Sequence, residues 1–109
     1  MVRIEQHQMC RKVSIDSEMT IYNAAELKAS LQPLVLTPGD IEISLANVHE
    51  IDSAGIQLLM LMKMESSVRQ QGMTLTEHSP AVLDVFELMG LLPWFNDPVI
   101  LTRGGEHGA

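Results

Sequence analysis

Short segments in which every second residue is apolar alternate along this chain with longer segments whose apolar residues recur at helical spacing. Ile41–Leu45 has the period-two pattern of a strand that packs one face on a core. A helical pattern follows from about Asp52 to Gln70, and Met73–Thr76 is the next strand-like segment. Because strands separated by helices are typical of βαβ connections, the sequence predicts an α/β fold with helices packed on a mainly parallel or mixed sheet.

The first helix is predicted to begin near Asn23. Its side chain can cap the helix, and Glu26 three residues later completes a capping box. Tyr22 can pack onto Leu27 as a hydrophobic staple. Pro33 followed by Thr37-Pro38-Gly39 is predicted to end the helix, since proline lacks the N–H that continues it. The predicted buried stripe consists of Ala24, Leu27, Leu31 and Leu34.

Glycine, proline and turn residues predict the remaining boundaries. Ser79–Pro80 starts a last helix, because serine caps well and proline suits the first helical position, and Gly90 ends that helix. Gly72 is predicted to stop the helix before it. Weaker patterns predict three further strands at Val2–Glu5, Met9–Ile15 and Val99–Leu101.

Length and composition indicate one globular domain. The 109 residues, 46% of them hydrophobic, suffice for a single domain at residues 1–102, followed by a flexible polar tail at 103–109. The net charge of -7 is unfavourable next to a phosphate backbone, so nucleic acid is not expected as a partner. The chain has no apolar stretch long enough for membrane insertion and no signal-peptide pattern, so the expected location is the cytoplasm. The sequence allows a monomer or a weak dimer.

The segment Asp52–Gly55 marks the most informative strand-to-helix junction. An apolar strand precedes this Asp-Ser-Ala-Gly motif, an apolar helix follows it, and the later segment Ser79–Leu91 contains a Phe, a Gly and a Leu toward its end. In this order the elements resemble the STAS domain, named for sulfate transporters and anti-sigma factor antagonists. The resemblance extends from about Val13 to Leu101, and it implies a mixed sheet of about four to five strands with about three to four helices packed on it.

The resemblance also implies a function, that of a bacterial anti-sigma factor antagonist whose motif serine, here Ser53, is phosphorylated. The implied partner is an anti-sigma factor and serine kinase of the histidine-kinase-like ATPase fold, and a PP2C-type phosphatase would remove the phosphate. Two positions depart from the family, with Thr20 where an acidic residue is usual and Ala54 where many relatives have Ser or Thr. The alternative is a constitutive STAS adaptor of a lipid-transport or chemotaxis-associated complex, which docks a protein without phosphorylation.

The chemistry of the motif also favours a modifiable Ser53. A phosphate there would lie at the amino end of a helix, where free amides and the helix dipole favour an anion. Gly55 has no Cβ and permits the close approach of a phosphate or a partner. Asp52 would repel the phosphate and is expected to orient the serine or contact the kinase. Because phosphorylation adds about -1.5 to -2 charge, a partner that packs apolar or acidic surface here would be expelled.

The helix after the motif carries more apolar residues than one buried stripe needs. Leu61 and Met62 are predicted to form an exposed patch, since flexible Met side chains suit adaptable partner surfaces. For Leu58 the favoured alternative is burial against neighbouring elements, and His49 lies either on the partner surface or in a solvated loop. Met62→Glu is predicted to leave the fold intact and to abolish partner binding. The predicted partner-binding residues are Asp52, Ala54, Gly55, Leu58, Leu61, Met62, Thr20 and His49.

Catalytic and metal-binding alternatives have little support in the residue pattern. Ser53, His78 and Asp84 could be drawn together as a hydrolytic triad, but the chain has no G-x-S-x-G elbow and no evident oxyanion loop. His7 and Cys10 lack the two further ligands that a zinc site needs. The sequence therefore predicts neither enzyme activity nor a cofactor.

Overall fold

The structure is a computed structural model that describes residues 1–95 of the 109-residue chain. The predicted strand Val99–Leu101 and the predicted tail at 103–109 lie outside the described residues. Within residues 1–95, no helix is long and apolar enough to cross a bilayer. The described elements are β1 (Val2–His7), β2 (Cys10–Ile15), α1 (Ala24–Leu36), β3 (Asp40–Ser44), α2 (Ser53–Val68), β4 (Met73–Thr76), α3 (Pro80–Met89) and α4 (Leu92–Phe95).

The four described strands form one mixed sheet in the order β1-β2-β3-β4. β1 and β2 form an antiparallel hairpin, whereas β2, β3 and β4 run parallel to one another. The predicted α/β fold and mixed sheet are confirmed. Because parallel strands end at the same edge of a sheet, the loops that follow β2 and β3 lie next to each other.

The helices cover one face of this sheet and bury its apolar residues. Ile41 and Ile43 of β3 are at most 2% exposed, while Glu42 between them lies on the opposite, open face. Of the stripe predicted on α1, Leu27 and Leu31 are buried. The other two members of the stripe, Ala24 and Leu34, are half-buried. Val35 of α1 is buried although it was not predicted to be.

Helix α1 contains Pro33 and ends at Leu36, directly before the predicted terminator Thr37-Pro38-Gly39, so the predicted end is confirmed. The buried guanidinium of Arg11 donates to the carbonyls of Leu34 at 2.6 Å and Thr37 at 2.8 Å. The Thr37 hydroxyl in turn donates to the Pro33 carbonyl at 2.9 Å. These bonds satisfy carbonyls that a helix end otherwise leaves without partners, and so they stabilise the last turn despite the proline.

Asn23 precedes α1 as predicted, but its side chain does not cap the helix. Its Oδ1 accepts a hydrogen bond from the Thr20 N–H at 2.9 Å, and its amide group donates to the Glu18 carbonyl. The side chain is therefore committed to the preceding loop. Tyr22 is 93% exposed, so the predicted staple onto the fully buried Leu27 is also wrong.

The other predicted boundaries differ in outcome. The Ser79 hydroxyl accepts from the Val82 N–H at 3.2 Å, which confirms the start of α3. Gly90 ends α3 as predicted, with a left-handed φ of 66°. Gly72 does not end α2, because the helix stops before it and Gln70 takes the left-handed conformation with a φ of 57°.

Candidate protein-binding site at the start of helix α2

Two loops at the carboxyl edge of the sheet are joined by backbone hydrogen bonds. The Met19 N–H donates to the Glu50 carbonyl at 2.9 Å, and the Asp52 N–H donates to the Met19 carbonyl at 3.1 Å. Met19 and Ile51 form an isolated parallel bridge at this point. The loop after β2 and the residues before α2 therefore form one continuous surface.

Asp52 caps α2 and also binds the neighbouring loop. Its Oδ1 accepts from the N–H groups of Ala54 at 2.9 Å and Gly55 at 3.3 Å. Its Oδ2 accepts from the Ile21 N–H at 2.9 Å. The bond from Ile21 is the largest cause that lowers the pKa of Asp52 below its ordinary value, and the two cap bonds act in the same direction. The carboxylate is thus held in place by three backbone donors.

Ser53 is the first residue of α2, and its side chain is exposed. No group within residues 1–95 forms a hydrogen bond with its hydroxyl. The amides expected to be free for a phosphate are already occupied, because Asp52 accepts from those of Ala54 and Gly55. The Ser53 hydroxyl therefore faces solvent, which the predicted modification requires.

Gly55 is buried, and the close approach that it permits is within the molecule. A Cβ at this position would lie 2.2 Å from the Met19 carbonyl oxygen and 2.9 Å from Cγ1 of Ile51. The expectation that Gly55 accommodates a phosphate or a partner is therefore corrected. The glycine is needed where the first turn of α2 packs against the loop after β2.

Thr20 is also buried, at 4% exposure. The prediction that its side chain contacts a partner is therefore wrong. Its hydroxyl donates to Asn23 Oδ1 at 3.4 Å and accepts from the Tyr22 N–H at 3.3 Å. These local bonds set the course of the loop that leads into α1. The two residues after Thr20 are exposed instead, Ile21 at 71% and Tyr22 at 93%.

Helix α2 buries part of the apolar surface that was expected to be exposed. Met62 is 4% exposed and Leu58 is 6% exposed, so the exposure predicted for Met62 is wrong and the favoured burial of Leu58 is confirmed. Leu61 is 43% exposed, as predicted. Leu61 and Met62 are neighbours in sequence and point about 100° apart around the helix, so α1 covers Met62 and leaves Leu61 open.

The exposed face of α2 extends away from Ser53 at helical spacing. Gln57 lies one turn further, Leu61 two turns and Met64 about three turns, and each of these side chains is exposed. Ile21 and Tyr22 adjoin this face through the bond from Ile21 to Asp52. We refer to the whole as the Ser53 surface, which consists of Ser53, Ile21, Tyr22, Gln57, Leu61 and Met64.

The sequence analysis missed Ile21, Tyr22 and Gln57 as part of this surface. The sequence feature that could have indicated them is the pair Ile21 and Tyr22, two large apolar residues that precede the first helix and lie outside its buried stripe. An open groove of about 280 Å³ borders the surface between α1 and α2. Its lining residues are Ala24, Ala25, Lys28, Gln57, Leu58 and Leu61.

Comparison with known proteins identifies the fold. Residues 2–93 match the family model described as "Mlab, STAS domain". The chain belongs to the STAS domain family. The resemblance based on the Asp52–Gly55 motif and on Ser79–Leu91 is therefore confirmed. No curated protein sequence matches this STAS domain significantly.

Solved structures of anti-sigma factor antagonists have the same fold as this STAS domain. One from Mycobacterium paratuberculosis is 22% identical, with a TM-score of 0.80 over 94% of this chain and 86% of that chain. A putative antagonist from Thermotoga maritima is 18% identical, with a TM-score of 0.80 over 96% and 90% of the two chains. The phosphorylated form of the Bacillus cell fate determinant SpoIIAA is 17% identical, with a TM-score of 0.68 over 97% and 95%. At these identities the likeness shows the fold alone.

The remaining predicted site residues of the STAS domain lie in different surroundings. His49 is exposed and Ala54 is half-buried. His78, the histidine of the rejected triad, is 4% exposed and packs edge-on against the Phe86 ring, with ring centroids 5.9 Å apart. It therefore does not share the exposed surface of Ser53. Within residues 1–95, no cluster of three or more His, Cys, Asp or Glu side chains could hold a metal ion.

Proposed function

We propose that this STAS domain is a non-enzymatic bacterial regulator, similar to anti-sigma factor antagonists, that binds a protein through the Ser53 surface. Phosphorylation of Ser53 blocks that binding. The observation that carries the proposal is the position of Ser53, which is exposed on the same helix face as Leu61, at the helix start to which the backbone of the exposed Ile21 is bonded.

The apolar part of the Ser53 surface supports a protein partner. Ile21, Tyr22 and Leu61 are 71%, 93% and 43% exposed. An exposed group of large apolar side chains is more informative about binding than a single one. Tyrosine is among the residues that contribute most to protein interfaces, because it offers a large apolar ring and a polar end. The groove between α1 and α2 extends this surface and gives a partner side chain a place to insert.

The position of Asp52 supports a switch that acts on the partner and not on the fold. A phosphate on Ser53 does not gain the amides of Ala54 and Gly55, which already donate to Asp52. It therefore remains at the surface, beside a carboxylate that repels it. A bound partner would have to desolvate this dianion against apolar side chains, and a switch from 99:1 to 1:99 needs about 5.5 kcal/mol of such differential affinity.

The proposed partner is an anti-sigma factor and serine kinase of the histidine-kinase-like ATPase fold. Transfer of the γ-phosphoryl group of ATP to Ser53 Oγ releases ADP and the hydroxyl proton. A PP2C-type phosphatase would reverse the step by hydrolysis. Because the kinase needs ATP, the proposal places the protein in the cytoplasm.

Intact-mass measurement after incubation with such a kinase and ATP tests the proposal. The kinase is the one encoded nearest to the gene for this chain. One added phosphoryl group is expected on the wild type and on Ser67→Ala, which alters an exposed serine near the other end of the same helix. Ser53→Ala should stay unmodified. An unchanged wild-type mass, or a phosphate that persists in Ser53→Ala, would contradict the assignment of Ser53.

A constitutive adaptor is the second candidate, as for a STAS subunit of a lipid-transport or chemotaxis-associated complex. The observation that favours it is the cap of α2, since Asp52 accepts from the amides of Ala54 and Gly55 without any phosphate. In that case the partner binds Ser53→Asp as tightly as it binds the wild type. The switch proposal instead requires Ser53→Asp to weaken binding.

A further inference from the structure

Strand β1 forms one edge of the sheet, and no strand within residues 1–95 pairs with its outer side. The Asp16 N–H donates to the Met1 carbonyl at 2.7 Å, which fixes the phase of the ladder between β1 and β2. Hydrogen-bonded pairs alternate with non-hydrogen-bonded pairs in an antiparallel ladder, so the odd-numbered residues of β1 bond to β2. The backbone N–H and C=O groups of Val2, Ile4 and Gln6 therefore point away from the sheet.

We propose that this edge is a homodimer interface, in which β1 pairs antiparallel with β1 of a second copy and Ile4 lies opposite Ile4. The occupant is a second copy because the charges of the strand are complementary to themselves in this register. Arg3, which also binds Asp16 within its own chain, lies opposite Glu5 of the second copy, and by symmetry Glu5 lies opposite Arg3. The two sheets then become one continuous sheet.

The backbone is compatible with this register. With Ile4 opposite Ile4, the outward N–H and C=O groups of this residue form a hydrogen-bonded pair, and Val2 forms the next such pair with Gln6 of the second copy. Arg3 and Glu5 then form the non-hydrogen-bonded pair between them. Side chains approach most closely in pairs of this kind, so the two charges interact where the ladder allows it best.

The neighbouring symmetric registers bring like charges together. A two-fold axis at Arg3 would place two guanidinium groups directly opposite each other, and one at Glu5 would oppose two carboxylates. Like charges in opposite positions destabilise a strand pair. The register centred on Ile4 is thus favoured over both neighbours by charge.

The interface also extends a row of alternating charge that exists on the open face of the sheet. Lys12 lies opposite Glu5 in the β1–β2 register and opposite Glu42 in the β2–β3 register. Lys12 Nζ is 3.7 Å from Glu42 Oε1. The dimer adds Arg3 of the second copy on the far side of Glu5. Each charge in the row then has an opposite charge on the adjacent strand.

Ile4 supplies the apolar part of the interface. It lies opposite the buried Val13 of β2 but is itself 51% exposed, since it lies at the edge of the helix-covered face. Pairing brings it against Ile4 of the second copy and removes part of the exposed surface of both side chains from water. The interface contains none of the residues of the Ser53 surface, so it can be tested independently of the proposed function.

Sedimentation equilibrium of the full chain over a range of concentrations tests the proposal. The average mass is expected to rise with concentration from the monomer mass toward twice that value. Glu5→Arg should raise the dimer dissociation constant at least about tenfold, because it places an arginine opposite Arg3 in both symmetry-related pairs. Glu87→Arg changes the net charge equally at an exposed position of α3 and should dimerise like the wild type.

Two further samples separate the register from an effect on folding. Ile4→Pro removes an outward N–H but none of the hydrogen bonds to β2, so it should remain monomeric with an unchanged circular dichroism spectrum. A mixture of Glu5→Arg and Arg3→Glu should recover the dimer, because each variant carries the charges that the other lacks.

A wild-type chain that stays at the monomer mass up to its highest soluble concentration would overturn the proposal. A dimer that persists unchanged in Glu5→Arg would overturn it as well, because such a dimer uses another surface. If Ile4→Pro fails to fold, the proposal is tested by the two charge variants. A mixture of Glu5→Arg and Arg3→Glu that remains monomeric would then refute the register.

Discussion

The carboxylate of Asp52 accepts a hydrogen bond from the Ile21 N–H at 2.9 Å and thereby joins the two loops that flank the start of α2. Through this bond the backbone of the exposed Ile21 is held at the start of α2, directly beside the residue that precedes Ser53. A surface that is already ordered loses less conformational entropy on association. The arrangement therefore favours binding without a prior rearrangement of the loops.

Loss of the Asp52 charge should make the fold less sensitive to acid. Its pKa is lowered in the folded state from the ordinary value of 3.8, so its contribution to stability is fully present above that value and is lost as the pH falls through the lowered pKa. Asp52→Asn lacks this contribution. Urea unfolding from about pH 7 to about pH 2 should give a smaller loss in the free energy of unfolding for the variant than for the wild type.

The matched control for the pH series is Asp84→Asn, which removes the charge of an exposed aspartate on α3. This variant should lose stability at low pH as steeply as the wild type. An Asp52→Asn variant with the wild-type pH dependence would show that the bonds from Ile21 and the helix amides do not favour the charged carboxylate.

Gly55→Ala should destabilise the domain. The added Cβ would lie 2.2 Å from the Met19 carbonyl oxygen, so the loop or the helix has to shift, and overpacking of this kind costs about 1–3 kcal/mol. Gly72→Ala is the control, because its Cβ would meet a carboxylate oxygen of the exposed Asp40 at 3.2 Å, and this side chain, which accepts from the Gly72 N–H, has to shift by only a few tenths of an ångström. Equal free energies of unfolding for the two variants would contradict the packing described for α2.

Leu61→Glu and Met62→Glu should have opposite effects on fold and binding. Met62 is 4% exposed, so a carboxylate there has to be buried or the core has to open, with a loss of at least about 3 kcal/mol in the free energy of unfolding. Leu61 is 43% exposed, and its substitution should change stability by less than about 1 kcal/mol while weakening partner binding. Thermal unfolding and a partner titration measure the two effects. A Met62→Glu variant as stable as the wild type would contradict the burial of Met62.

Ser53→Asp should leave the fold almost unchanged. The helix dipole favours a negative charge at the first position of α2, whereas the adjacent Asp52 repels it, and the two effects oppose each other. The free energy of unfolding should therefore stay within about 0.5 kcal/mol of the wild type in a urea titration. A larger loss would mean that phosphorylation acts by disrupting the fold.

The elements that the sequence predicted best are those fixed by local chemistry. The period-two pattern at Met73–Thr76 predicted β4 at its observed bounds, and Ser79 and Gly90 predicted both ends of α3. The exposed position of Ser53 followed from its place at the start of an apolar helix. At both ends of α3 the decisive interactions lie within a few residues of one another.

Interactions between distant residues explain what the sequence did not predict. The carbonyls at the end of helix α1 are bound by Arg11, which lies far away in sequence. Gly55 is required by its contact with Met19, and Met62 is buried by the packing of α1 on α2. A helical pattern shows that a face is apolar, but it does not show which neighbour covers that face.

The account depends most on Ser53, and titration of the serine kinase partner into unmodified and Ser53-phosphorylated protein tests it most directly. Phosphorylation should raise the dissociation constant at least about a hundredfold, because it places an unpaired dianion within the apolar contact. Ser67→Ala should bind and respond as the wild type does. An equal affinity for the phosphorylated and unmodified proteins would contradict the switch and leave the constitutive adaptor as the function of this surface.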